Sequence, residues 1–184
     1  ADAFREAAAD ARDAWNEIFI DPDTGKTRNA EGEVQDTQAS YATPLRFGVV
    51  NDKNLEKVTE NYNKSIAEAS GEDMDGVGIT PYTLTTGFNA TGNLLNALSD
   101  NGLNDTAYKL FESTDYASWL YPVTEGATSI WERWNSYTEE GGFNGNNSMN
   151  SFNHYSYGAV CEWMLGYQAG IIADKNLPGY QNFI

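Results

Sequence analysis

The sequence predicts an all-α fold of helical hairpins, and three observations carry that expectation. Apolar residues recur at steps of three and four in successive stretches, short polar turns containing glycine separate those stretches, and no run alternates apolar and polar residues as a half-buried strand would. Phe4, Ala8, Ala11, Trp15 and Ile18 form the first such stripe, one face of an amphipathic helix that stops at DPDTG, residues 21–25, where Asp-Pro and Gly are turn chemistry. A second helix is expected over 35–47, broken by VVND. Leu55, Val58, Tyr62 and Ile66 mark a third, closed by the glycine-punctuated GEDMDGVGIT. Two more follow, one around Leu94, Leu95 and Leu98 and one around Ala107, Leu110 and Phe111. The turn SDNGLND between them has its Gly where a helix C-terminus wants a left-handed residue. The last helix is expected over 154–171. Three connecting stretches, 79–92, 116–134 and 135–154, are too long and too aromatic to be simple connectors, and on a helical frame such loops are expected to form one functional mouth.

Composition narrows the partners. The 184 residues suffice for one domain with a real core, and equally for a piece of something larger. A formal net charge of −16, from 11 Lys plus Arg against 27 Asp plus Glu, repels phosphate backbones and anionic lipid surfaces, so neither nucleic acid nor membrane is an expected partner. No stretch approaches the roughly 20 apolar residues of a bilayer span, and the N-terminal residues are helical in pattern and unlike a targeting peptide, which leaves the compartment open. The lone Cys161 allows no intrachain disulfide and no thiolate metal cluster. With 5 Trp and 11 Tyr in a chain otherwise rich in Asn, Gly and Asp, the mixture suits a polar ligand with apolar faces, of which sugars are the obvious class.

Candidate chemistry concentrates in two clusters. DPDTG and DMDG carry Asp21, Asp23, Asp73 and Asp75 but lack the remaining ligands of a calcium loop in register, so they are read as solvated turns, and no metal site is expected. The Asn-x-Ser/Thr matches at Asn63, Asn89, Asn104 and Asn146 matter only in a glycosylating pathway. In SIWERW, residues 129–134, Glu132 stands between Trp131 and Arg133 with Trp134 next. A carboxylate held among indoles beside a guanidinium is ionised yet partly dehydrated, the state a general base needs. The alternative is an ion pair of Glu132 with Arg133 or a more distant cation, the tryptophans being core. His154, the one histidine, lies in SFNHY with Asn153 and Tyr155 beside it. It is either an ordinary helix-start histidine bonded to backbone or a donor to a hydroxylated ligand. No nucleophile elbow accompanies it, and one His with one Cys at non-ligand spacing makes no zinc site.

The same clusters carry a family resemblance. GATSIWERW (126–134) with SFNHYSYGAVCEWMLGYQAGI (151–171) resembles the paired signature of bacterial α-L-rhamnosidases of glycoside hydrolase family 78; LTTGF (84–88), LLNALSDNGLNDTAYKL (94–110) and DYASW (115–119) agree in order. The resemblance implies a catalytic domain that is an (α/α)6 barrel of helical hairpins, inverting hydrolysis of terminal α-L-rhamnose, and no organic cofactor. It assigns Glu132 as general base and His154 as a sugar-binding residue; Trp131, Trp134 and Asn153, their neighbours in the two clusters, are the accompanying substrate-binding candidates. Two positions depart from the family: Asn135 stands where Asp is usual, and Cys161 where Gly is usual. The motif bearing the family's general acid has no counterpart here. Residues 1–184 are therefore expected to be the C-terminal half of the barrel, ending where a β-sandwich would begin, with a rhamnose-containing glycoside and the remaining parts of the same enzyme as partners. The alternatives are a noncatalytic sugar-binding or structural helical domain, or a six-hairpin glycosidase for another sugar.

Overall fold

The computed structural model describes residues 2–73, 76–139, 141–143, 148–174, 177 and 179–182. The fold is built on α4 (Phe88–Asp100), whose Ala90, Thr91, Leu94, Leu95, Asn96, Ala97 and Leu98 are all buried. A helix buried on nearly every side must be surrounded, and α4 is: it packs against α2 (Gln38–Arg46), α5 (Asn104–Glu112) and α7 (Val160–Trp163; α6 is the single turn Tyr121–Thr124), while α3 (Asp52–Ala67) lies against α2 and α5. Val58, Tyr62 and Ile66 of α3 are fully buried at the predicted spacing, and the Tyr62 hydroxyl donates to the Leu94 carbonyl at 2.9 Å. Successive helices joined by short turns therefore pair as hairpins.

Local chemistry sets the boundaries. α2 begins at the capping box of Thr37 and Ser40, each side chain receiving the other's backbone N–H, so its start falls later than the sequence pattern suggested. Asn51 caps α3 by accepting from the Asn54 N–H. The α4–α5 turn closes through Gly102 at φ 77°, in the left-handed region expected of it. After α1 (Asp2–Phe19), Asp21 Oδ1 accepts from the backbone N–H groups of Asp23 and Thr24 and from the Thr24 hydroxyl. This makes DPDTG a turn held by its own aspartate. Gly25 in that turn has φ 72°, and a Cβ there would meet Lys57 Cβ at 2.4 Å, so only glycine lets the turn lie against α3.

Three expectations need correction. The apolar stripe of α1 is not the face that packs: Phe4 is 84% exposed, Ala8, Ala11 and Ile18 are exposed, and Trp15 is half-buried. α1 is held instead by polar groups, Arg12 donating to the carbonyls of Val49 and Val50, and the buried Asn16 bridging Val49 and Asn51. Spacing identifies an apolar face, but not whether a partner for it lies in the same chain. The expected helix over 154–171 is a composite: a 3-10 turn over Ser156–Ala159, then α7, then a wide π turn over Met164–Gln168, with His154 in the loop before it. Two short antiparallel hairpins also occur, β1 (Gly71–Glu72) with β2 (Gly78–Ile79) and β3 (Tyr137–Thr138) with β4 (Gly142–Phe143), where no strand was expected. At two residues a strand is too short to show alternation. Met74 and Asp75 of the DMDG stretch, and Asn146, lie outside the described residues.

Leu94→Ala, which empties the centre of α4, is expected to cost about 2–5 kcal/mol in urea unfolding. Phe4→Ser on the open stripe should stay within about 0.5 kcal/mol.

Candidate functional site

The two sequence clusters meet side by side. Segments 129–132 and 151–154 run antiparallel, with the His154 N–H donating to the Ile130 carbonyl at 2.8 Å and the Glu132 N–H to the Ser151 carbonyl at 2.8 Å. The Ser129 hydroxyl adds a bond to the Phe152 carbonyl. The Ser151 N–H returns to Glu132 Oε2 at 2.7 Å, so one carboxylate oxygen is fixed by backbone. Glu132 is only 8% exposed, yet among the described residues it makes no ion pair, with Arg133 or any other cation, and Oε1 meets no hydrogen-bond donor. A carboxylate oriented by one oxygen and open at the other can accept a proton from water.

Aromatic rings frame this pair. Trp131 is buried edge-to-face against Phe152 (5.3 Å) and Tyr137 (6.5 Å), a packing role for an indole expected among the sugar-binding residues. Trp134 is half-buried; its indole N–H donates to the Thr86 carbonyl at 2.8 Å, and its ring stacks on Tyr157 at 3.7 Å. The His154 ring lies between Phe88 (4.8 Å) and Tyr155 (5.5 Å). Its Nδ1 accepts from the Ser156 N–H at 3.4 Å, which assigns the ring proton to Nε2 and leaves that N–H as the donor. The backbone-bonded reading and the donor reading of His154 are therefore compatible. Asn153 is exposed, its N–H bonded to Ser151 Oγ.

Two cavities adjoin these rings. The larger, about 1060 Å³, is lined from all three long stretches: Ile79 and Leu84–Gly87 from the first, Tyr116, Ala117, Arg133 and Trp134 from the second, and Asn135 from the third. Its opposite wall is the start of α2 and the end of α3, with Asp36 ion-paired to Lys26 and receiving the Tyr41 hydroxyl. The smaller, about 280 Å³, is mainly apolar, walled by Trp119, Pro122, Val123, Trp131 and Trp134. Arg133, Trp134 and Tyr157 border both. Of the sequence-predicted residues, then, Trp134 faces the large cleft and Trp131 the small one; Glu132, Asn153 and His154 belong to the paired segments that hold this wall and do not line either cavity.

Asp36, Tyr116, Arg133 and Tyr157 line the cleft without having been singled out, and Asp73, read from the sequence only as part of a solvated turn, lines it too. Asp73 accepts from the Val77 N–H and the Tyr116 hydroxyl, bonds that a local motif does not reveal. Arg133 and Tyr157 stood within the two quoted motifs, and the available signal was only their adjacency to Glu132 and His154.

Known proteins resemble this chain in sequence and fold. Residues 1–167 match the family model described as the bacterial alpha-L-rhamnosidase 6 hairpin glycosidase domain. An alpha-L-rhamnosidase of Alteromonas sp. (strain LOR) is 44% identical over 172 residues, 93% of this chain and 16% of that protein. One of Streptomyces avermitilis is 38% identical over 156 residues, 84% of this chain and 14% of that protein. The crystal structure of a Streptomyces avermitilis alpha-L-rhamnosidase complexed with L-rhamnose superposes with a TM-score of 0.71 at 35% identity, covering 89% of this chain and 14% of that one. The chain thus spans about a seventh of the length of these relatives, and its paired helices resemble those of six-hairpin glycosidases.

Burial first, then nearby charge, pushes the Tyr157 hydroxyl up to about 12 from an ordinary 10.0; Arg133 pulls it down and Glu132 pushes it up. Burial, with the Asp100 bond, does the same to Tyr167. A raised folded-state value favours the neutral phenol, so that stability is fully present below about pH 10 and lost as pH climbs through about 12. Urea midpoints should be insensitive to these groups up to about pH 10 and then fall, and Tyr157→Phe should reduce the fall.

Proposed function

The chain belongs to the bacterial α-L-rhamnosidase six-hairpin glycosidase family, and from that premise we propose that residues 1–184 are the base-bearing C-terminal half of an (α/α)6 catalytic domain. The intact enzyme removes terminal α-L-rhamnose from a glycoside with inversion. The observation that carries the reading is the state of Glu132: buried, unpaired by any cation among the described residues, one oxygen fixed by the Ser151 N–H and the other open.

In this reading the open oxygen of Glu132 takes a proton from water as that water attacks the anomeric carbon. The Nε2–H of His154 donates to a rhamnose hydroxyl, with Asn153 at the same edge. Trp134, one face stacked on Tyr157 and its N–H tied to Thr86, borders the cleft and offers its remaining apolar ring edge to the sugar. The leaving oxygen is protonated by an acid from another part of the enzyme, about 6.5–9.5 Å from Glu132 so that water fits between them. Burial of Glu132 among rings lowers the water content around the developing charge, which strengthens each of these electrostatic contacts.

The half-barrel assignment has separate support. The apolar stripe of α1 is open on this chain, and a contiguous apolar helix face is characteristic of a surface covered by another part of the structure. The chain's 14–16% share of its relatives' length leaves ample sequence to supply that cover.

Glu132→Gln in the full-length enzyme keeps shape and the Ser151 bond but removes the base. Turnover of an aryl α-L-rhamnoside should fall about 10²–10⁴-fold while L-rhamnose affinity stays near wild type. Turnover within a few-fold of wild type would reject Glu132 as the base.

A further inference from the structure

Tyr157 raises a problem of placement. It is 6% exposed, stacked on Trp134 at 3.7 Å and tilted against Phe88 at 5.2 Å, contacts that a phenylalanine ring would make equally well. Burying a hydroxyl without a partner is unfavourable, yet among the described residues the Tyr157 hydroxyl has none; its backbone carbonyl, in contrast, accepts from the Trp119 indole N–H at 3.0 Å. Nor is that oxygen among the sealed, unpartnered polar atoms of the interior, so it retains some exposure. Tyr157 borders the large cleft with Arg133, and its hydroxyl lies within electrostatic reach of both Arg133 and Glu132.

We propose that the Tyr157 hydroxyl is a further substrate-binding group, donating a hydrogen bond to a hydroxyl of the pyranose that enters the large cleft at the edge of the Trp134–Tyr157 stack. The inference rests on the sugar-site reading above and adds a contact to it. The stack with Trp134 fixes the ring, so the hydroxyl is held in one place before the sugar arrives and little freedom is lost on binding. Two of the sugar's recognition elements, the indole edge and the phenol donor, are thereby locked to each other. Because burial keeps the phenol neutral, it remains a donor across the whole range in which Glu132 can act as a base.

The test is Tyr157→Phe in the full-length protein, followed by titration with L-rhamnose and a panel of other monosaccharides, with Trp fluorescence and calorimetry as readouts and the thermal midpoint as a fold control. The expected result is a thermal midpoint equal to or above wild type and an L-rhamnose affinity about three- to tenfold weaker, since one neutral hydrogen bond is lost. KM for an aryl rhamnoside should rise in parallel. Equal affinity in wild type and variant would overturn the Tyr157 contact while leaving the sugar site standing. A lowered midpoint would overturn it too, because the hydroxyl would then serve an internal bond. Wild-type protein that binds none of the sugars would overturn both this inference and the reading beneath it.

Discussion

The arrangement depends on one backbone pairing, that of residues 129–132 with 151–154. The bonds from His154 to Ile130 and from Glu132 to Ser151 bring the two motif-bearing segments together. The return bond from the Ser151 N–H to Glu132 Oε2 then fixes the carboxylate itself. None of these groups is strongly constrained by its own segment. The pairing supplies what neither loop has alone: a backbone donor for a buried carboxylate, whose desolvation would otherwise be unfavourable.

That pairing is in turn anchored to α4 and the composite C-terminal helix. Trp134 joins the start of α4 through the Thr86 carbonyl and the final helical stretch through its stack on Tyr157. Trp119 closes the same corner, edge-on to Trp134 at 6.0 Å and bonded to the Tyr157 carbonyl. Farther along, the Trp163 indole donates to Ser99, and Arg46 links Asp100 with Glu162, so α2, α4 and the last helix are tied together. The aromatic content that composition alone assigned to ligand binding is thus divided: Trp163 is sealed in the core, Trp119 and Trp131 are buried along the smaller cavity, and Trp134 stacks one face on Tyr157 and borders both cavities.

How far the sequence led can be read from particular residues. Val58, Tyr62, Ile66, Leu94, Leu95 and Leu98 are buried as their spacing required, because periodicity reports directly on which face of a helix is dry. Phe4, Ala8 and Ile18 obeyed the same spacing yet lie open, because periodicity is silent about where the covering surface resides. The start of the last helix was misplaced because His154 bonds the Ser156 N–H and keeps the chain in a loop there. Convergence of the three long stretches on one cleft was legible from length and aromatic content. The cleft positions of Asp73, Arg133 and Tyr157 were not, since they follow from contacts between segments far apart in sequence.

The central claim is that the paired segments, with Trp134 beside them, present Glu132 to a sugar. Amide and indole N–H resonances of the full-length protein, followed during an L-rhamnose titration, address it most directly. The account predicts that the Ser151 amide, which reports on Glu132, and the Trp134 indole N–H shift together along one saturable curve. Saturable rhamnose binding that leaves both resonances in place would contradict it.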